Sequence, residues 1–460
     1  MPLTYDLDAL AQDKTILDRA PAKFDPSKAD GFFLLRLPKI LWSMWRSARK
    51  MKWHRTNVKQ HFEKEVAFHL EEVEEVRRQD LSKHSDVEVA EELDARCRWV
   101  LDEFAPLTLL PGFFGGQAFD ALEAQLGQLL GPRHGAALAG TLTLALEGDV
   151  TFEQDKLLYD IAHGQATLDD FLRRFGHRSI GEMELATPRW REDCTYLQQT
   201  IARLRANPGR PPTEIHLQNV ARRQQAEREL PTVLEKAGGS SMREDIEANL
   251  AEARALLPYR ESGKFYLMMG YELIRHALEE LARRWDLGGS IYFLQREDLA
   301  RFPVEADALR ATAAERKRRW QALQRLDAPE IVDSNNLDTL GTAPPIVATS
   351  ELIGTAMAPG VATGIARVVA DPQTDGQLGA DYILVCASTD PGWTPLFLGA
   401  RGLIVERGGV LSHGAIVDRD FGIPAVACPH ATKQLHNGDL VRVDGNQGRV
   451  FVVERRAGDA

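Results

Sequence analysis

The stretch "GGVLSHGAIVDRDFGIPAV", Gly408 to Val426, holds one histidine, His413, between a double glycine and a Gly-Ile-Pro. It contains no second histidine and no cysteine. A metal site needs several ligands, and a triad needs a nucleophile next to a base. His413 is therefore either a packing residue or itself the nucleophile. The preceding "GLIVE" reads as a buried strand, "RGG" as a turn, and "SHGAIVDRDFG" as a helix closed by Gly422. That order puts His413 in the first turn of a helix, where free N–H groups and the helix dipole favour an anion. The same field disfavours imidazolium and keeps the ring neutral and nucleophilic. Ser412 suits the N-cap, and Gly408, Gly409 and Gly414 leave the approach open. Such a histidine can accept a phosphoryl group and pass it on. The plainer account, a half-buried histidine at a helix start, stays open on these residues alone.

Outward from this stretch the texture is constant as far back as Leu352. "GIARVVA", "DYILVCAS", "GLIVE", "PAVACP", "DLVRVDG" and "GRVFVVE" are short β-type runs separated by Gly, Asp and Pro. They predict a compact α/β domain of about a hundred residues, a normal domain size. Before it, Asp327 to Ser350 holds three prolines and two asparagines with no helical period, and reads as a linker. As a flexible coil of about two dozen residues it spans roughly 25–30 Å, enough for the following domain to move between two places. The expectation is a hinge serving a weak, polar interface.

The part before the linker reads as helices. "FEKEVAFHLEEVEEVRRQDL" and "DVEVAEELDARCRWVLDEF" carry apolar residues at three- and four-residue spacing. "DEFAPLTLLPGFFGG" breaks the pattern and "QAFDALEAQLGQLLG" resumes it. Long helical runs follow to "TAAERKRRWQALQRL", with no short fixed-period repeat, so a solenoid is not expected. Phe32 to Trp53 is apolar but broken by Arg36, Pro38, Lys39 and Arg46, so it predicts an amphipathic helix and not a membrane span.

Composition narrows the class. Of 460 residues, 44% are hydrophobic and 27% charged, as in globular proteins, and the formal net charge of -11 makes nucleic acid a poor partner. Cys97, Cys194, Cys386 and Cys428 are scattered without a CxxC pair, which argues against a disulfide scaffold or a zinc site and fits a reducing compartment. The N-terminus has acids and no apolar core, so no signal peptide is expected, and a cytoplasmic location follows.

The string around His413 resembles the phosphohistidine signature of the PEP-utilising enzymes, the group that includes PEP synthase, pyruvate phosphate dikinase and rifampicin phosphotransferase. "GTAMAPGVATGIARVV" looks like the opening of that domain, "TDPGWTPLF" like its characteristic loop, and "ATKQLHNGDLVRVDGNQGRV" like its close. In the family this is a mobile β/β/α swivelling domain whose histidine carries the phosphoryl group between two distant sites. The resemblance thus implies that role for His413, supported by Gly408, Gly409, Ser412, Gly414, Thr389, Asp390 and Trp393. Asp418 stands where many members have alanine and reads as a surface change. "FLRRFGHRSIGEMELATPRWRED" and "PYRESGKFYLMMGYELIRHALEELARRWDLGGSIYFLQREDL" resemble segments of the helical, acceptor-binding region of rifampicin phosphotransferase-like proteins. Within the first of these, Gly176 and Pro188 leave His177, Arg178, Glu182, Glu184, Arg189 and Arg191 on irregular backbone. Arginines suit phosphate, and a histidine or glutamate suits the acceptor proton. An ion-pair network fixing a helix junction accounts for the same residues.

The expected architecture is α+β and multidomain. An N-terminal extension (1–35) precedes a mostly α-helical, acceptor-binding-like domain (36–326), a hinge linker (327–350) and a β/β/α phosphohistidine swivelling domain (351–455). The sequence has no GxxxxGK[ST] phosphate cradle and no metal-ligand set, and leaves no room for an ATP-grasp domain before Arg36. The expected function is a phosphotransferase component: ATP and Mg2+ are handled by an ATP-grasp protein in trans, His413 takes the terminal phosphoryl part, and a small hydroxyl-bearing acceptor receives it. Two rivals are an ATP-dependent ligase or synthase, as in prodigiosin-forming relatives, and a non-catalytic regulatory remnant.

Overall fold

The computed structural model describes residues 31–206, 210–324, 350–372, 378–379, 381–408 and 422–456. His413, Gly409, Ser412, Gly414, Asp418, nearly all of the linker and the first thirty residues lie outside the described residues, as do the side chains of the amphipathic stretch up to residue 52.

The first part is helical: α1 (Gly31–Arg77), α2 (Asp86–Cys97), α3 (Ala105–Leu130), α4 (Pro132–Leu142), α5 (Val150–Ala162), α6 (Leu168–Phe175), α7 (Thr195–Ala206), α8 (Pro212–Lys236), α9 (Arg243–Leu256), α10 (Tyr259–Arg284) and α11 (Arg296–Leu323). Their starts follow ordinary capping chemistry. Ser85 Oγ accepts from Glu88 N while Glu88 Oε2 accepts from Ser85 N, and Thr167 and Asp170 repeat the arrangement before α6. α10 is the spine, with most of its side chains buried among α1, α2, α3 and α5. No helix among the described residues is long and apolar enough to cross a membrane.

One expectation fails here. The Pro-Gly stretch after Phe104 does not break the helix: a π-helical segment (Arg98–Phe104) runs into α3, which continues through Pro111, Gly112 and Gly115. Pro106 falls in the first turn, where its missing N–H is not needed. Gly115 is there for close approach, since a Cβ at that position would lie 2.9 Å from the Leu257 nitrogen. The glycines that look like breakers let α3 press against the α9–α10 junction.

Among the described residues the second part is one eight-stranded sheet: β1 (Glu351–Ile353), β2 (Thr355–Ala358), β3 (Val361–Val368), β4 (Tyr382–Cys386), β5 (Ala400–Val405), β6 (Ala425–Ala427), β7 (Leu440–Asp444) and β8 (Arg449–Glu454), with short helices α12 (Thr394–Phe397) and α13 (Ala431–Gln434). The order is β1-β8-β7-β3-β4-β5-β6-β2. β3 to β6 run parallel, and the flanking pairs are antiparallel. β4 is buried at every residue, as its unbroken apolar run requires. The mostly helical part followed by a mixed sheet is the α+β architecture expected.

The interface between the parts is not chiefly polar. One continuous apolar cluster contains Phe175, Trp190, Tyr196 and Phe265 from the helical part together with Trp393, Leu396 and Phe397 from the sheet part. Hydrophobic residues at a loop tip pack wherever a neighbouring apolar face is available.

Gly115→Val is expected to lower stability by about 1–3 kcal/mol, because the Leu256–Leu257 backbone leaves no room for a larger side chain. Urea unfolding measures this, and an unchanged midpoint would mean that α3 is not held at that distance.

Candidate functional site

The turns between α6 and α7 bring the nominated side chains together. Arg191 N donates to Gly176 O at 2.9 Å and Trp190 N to Arg178 O at 2.8 Å, so the segment folds back on itself. Inside the fold-back, Arg178 grips Glu182 with two parallel bonds, Nε to Oε2 at 2.9 Å and Nη2 to Oε1 at 3.0 Å. Both are buried. Arg178 Nη1 also donates to Gln154 Oε1 on α5 at 3.2 Å. Lys264, from α10, approaches Glu182 Oε1 at 3.0 Å. Burial works against the Glu182 charge, but Arg178 and Lys264 outweigh it and hold the carboxyl well below the usual range.

The remaining nominated residues have other tasks. His177 is buried, with Nε2 donating to Phe265 O at 3.1 Å and Nδ1 unpartnered. Burial, helped by Arg178, pushes its pKa far down, so the ring is neutral and supports α10 away from solvent. Arg189 Nη1 donates to Ser179 Oγ at 2.9 Å and to Glu182 O at 2.8 Å, pinning the turn from within. Arg191 pairs with Glu272, which Arg77 Nη2 also meets at 2.6 Å, tying the segment to α1 and α10. Glu184 is exposed, and its Oε1 accepts from Ala186 N at 2.9 Å. The structure thus brings Arg178 and Glu182 into one cluster and leaves His177, Arg189 and Arg191 as its frame.

The sheet part meets this cluster through the loop before α12. Gly181 N donates to Asp390 Oδ2 at 2.8 Å, Gly392 N donates to Asp390 Oδ1 at 2.7 Å, and Tyr196 OH donates to Gly392 O at 2.7 Å. Burial and the neighbouring Glu182 raise the pKa of Asp390, against the pull of the Gly181 N–H. Trp393 is buried, and its N–H donates to Asp390 O at 2.9 Å. Thr389 is half-buried, and Gly408 is exposed beyond β5.

Sequence reasoning missed Lys264, Tyr196 and Asp155. Lys264 stands in a regular helical period, and Tyr196 meets a partner 196 residues away, so neither carries a local signal. Asp155 has the pattern of a surface acid on α5, yet it is buried. Burial and Asp149 raise its pKa well above the ordinary value, with Arg178 opposing.

Residues 378–448 match the PEP-utilising enzyme mobile domain, and residues 152–261 match the rifampicin phosphotransferase fourth domain. The chain is 27% identical over 394 residues to the rifampicin phosphotransferase of Streptomyces sviceus, covering 76% of this chain and 44% of that protein. It is 29% identical over 299 residues to the Bacillus cereus rifampicin phosphotransferase, covering 62% and 34%. A prodigiosin synthesizing transferase of Serratia marcescens is 31% identical over 304 residues, covering 63% and 34%. The chain spans less than half the length of these relatives.

Asp155 sets a pH dependence. Its folded-state pKa lies above the unfolded value of 3.8, so the native state keeps a proton that the unfolded state releases. Stability from this group is full at low pH and falls as pH rises through the carboxyl range towards the folded pKa. Asp155→Asn is expected to flatten that fall and to leave the protein more stable than the parent at neutral pH. Urea unfolding across pH measures the slope, and an identical slope in the variant would assign the effect to other groups.

Proposed function

We propose that this chain, which carries two domains of the PEP-utilising enzyme family, moves a phosphoryl group on His413 from ATP to the hydroxyl of a small organic acceptor. ATP and Mg2+ are handled by an ATP-grasp protein acting in trans, in the cytoplasm. In the unloading step the bond from phosphorus to the His413 ring nitrogen breaks as the bond from phosphorus to the acceptor oxygen forms. The hydroxyl proton passes to a carboxylate, and the ring is left neutral.

The observation that carries this reading is the bonding of the Asp390–Gly392 turn to Gly181 and Tyr196, beside the Arg178–Glu182–Lys264 cluster. The turn belongs to the domain that bears His413, and the cluster belongs to the helical part. Cations beside a transferring phosphoryl group offset its developing charge. Lys264 retains solvent exposure and has donors beyond the one that meets Glu182. Asp390, whose affinity for a proton is raised by burial and by Glu182, is chemically suited to receive the acceptor's proton.

The similarity to the prodigiosin synthesizing transferase favours one second reading, in which the phosphoryl group activates one metabolite for joining to another. Product analysis separates the two: a kinase releases a phosphorylated acceptor, and a ligase releases a joined product with free phosphate.

With an ATP-grasp partner and ATP, the chain is expected to gain an acid-labile, base-stable phosphate that His413→Ala abolishes, read by intact mass. Label that survives this substitution would sink the reading. Gly392→Ala tests the docked contact, because a Cβ there would lie 2.7 Å from Ile180 Cγ1. Loading of His413 is expected to persist while transfer to the acceptor slows about ten-fold or more. Parallel loss of loading would place this contact on the donor side of the cycle.

A further inference from the structure

Two buried histidines converge on one turn of α10. His177, from the segment after α6, donates through Nε2 to Phe265 O at 3.1 Å, and His69, on α1, donates through Nε2 to Tyr266 O at 3.0 Å. A carbonyl oxygen only accepts, so each neutral ring carries its proton on Nε2. Both rings are fully buried, and neither Nδ1 has a hydrogen-bond partner.

Packing fixes the rings as well. His69 lies face to face with Phe104 at 3.8 Å between ring centres, and Trp99 stands at 4.8 Å. His177 meets the Phe265 ring edge-on at 4.7 Å. The π-helical segment supplies Phe104, the face against which His69 rests. It reaches α10 one turn further on, at Gly270, where a Cβ would lie 2.6 Å from Val100 Cγ1.

The turn held in this way carries two groups that face the mobile part. Lys264 meets Glu182 Oε1 at 3.0 Å, beside the Asp390 turn. Phe265 belongs to the apolar cluster shared with Trp393, Leu396 and Phe397. A helical carbonyl has a second lone pair beyond the one its helix uses, so an outside donor fixes the turn without breaking it. The aim of a long lysine side chain is only as good as the backbone beneath it, and a shift of about 1 Å in a positioned group costs much of its effect.

We infer that His69 and His177 are positioning residues for Lys264: as neutral rings they hold residues 264–266 of α10 from two different elements, and so fix where the Lys264 ammonium stands beside Asp390. The part played by that ammonium in phosphoryl transfer rests on the reading above, but its placement does not.

The hold depends on neutrality. Protonation adds an N–H at Nδ1 that meets no acceptor. Burial lowers the His69 pKa to about 4 against the pull of the Tyr266 carbonyl, and Arg77 adds to the lowering. Around His177, burial, Arg178, Arg77 and Arg191 lower the pKa and Glu182 opposes them. Both folded values lie below the ordinary 6.5, so the native state binds fewer protons than the unfolded chain. Stability from these rings is full above that value and falls as pH drops towards the folded values.

The test is the rate at which an amine-acylating reagent labels Lys264 in the full chain, read by peptide mass spectrometry against the exposed Lys83. His69→Phe keeps a ring for Phe104 and removes the donor. It is expected to raise Lys264 labelling about five-fold, the size of one net hydrogen bond. His69→Gln places an amide N–H near the position of Nε2 and is expected to restore the parent rate. A ring that served packing alone would not be replaced by glutamine, which cannot stack. Unchanged labelling in His69→Phe, or an equal rise in both variants, would overturn the inference. A second measurement stands apart from how the phenylalanine variant folds: urea unfolding of His69→Gln between about pH 7 and pH 4 is expected to show a shallower loss of stability than the parent. An identical slope would overturn the neutral-ring hold. Neither measurement needs ATP, His413 or an acceptor, so a failure here is distinct from a failure of His413 to become phosphorylated.

Discussion

The fork between Arg178 and Glu182 sits where two charges are hardest to keep, buried on both sides and reached by one further cation, Lys264. Removing one partner of such a pair leaves the other unmatched and costs about 3–5 kcal/mol. The pair closes over Ser179, Ile180 and Gly181, the three residues between its ends. Their backbone is thereby fixed, and the Gly181 N–H is presented to Asp390 of the other part. Position at the interface follows from charge inside the helical part.

That internal charge needs a rigid surround. Arg189 binds the Glu182 carbonyl and the Ser179 hydroxyl, and Arg191 anchors the outer limb to Glu272 on α10. His177 fastens the segment to α10 again through the Phe265 carbonyl. In each case a polar side chain satisfies backbone or carboxylate groups that burial would otherwise leave unmet. A loop without regular hydrogen bonding can be buried only if side chains complete its accounting, and this one spends three long residues doing so.

Short apolar runs bounded by Gly, Asp and Pro made the strands of the sheet readable, since a buried parallel strand such as β4 must be apolar throughout. Helix period did the same for α2. The stretch through Pro111 and Gly115 was misread because glycine gives one signal for two causes, a turn and a close approach, and only the partner helix distinguishes them. The cluster at the interface was half legible. Arg178 and Glu182 stood out by type and spacing, but Lys264 and Tyr196 are joined to it across long chain separations that leave no trace in local pattern. Asp155 was hidden for the opposite reason, because an acid on an amphipathic helix reads as solvated.

The apolar cluster that runs from Phe175 and Trp190 into Trp393, Leu396 and Phe397 has a thermal consequence. Attraction between apolar surfaces weakens on cooling. A joint made largely of rings and aliphatic chains is therefore tightest in the warm and loosens in the cold, with the heat-capacity change that exposing such surface brings.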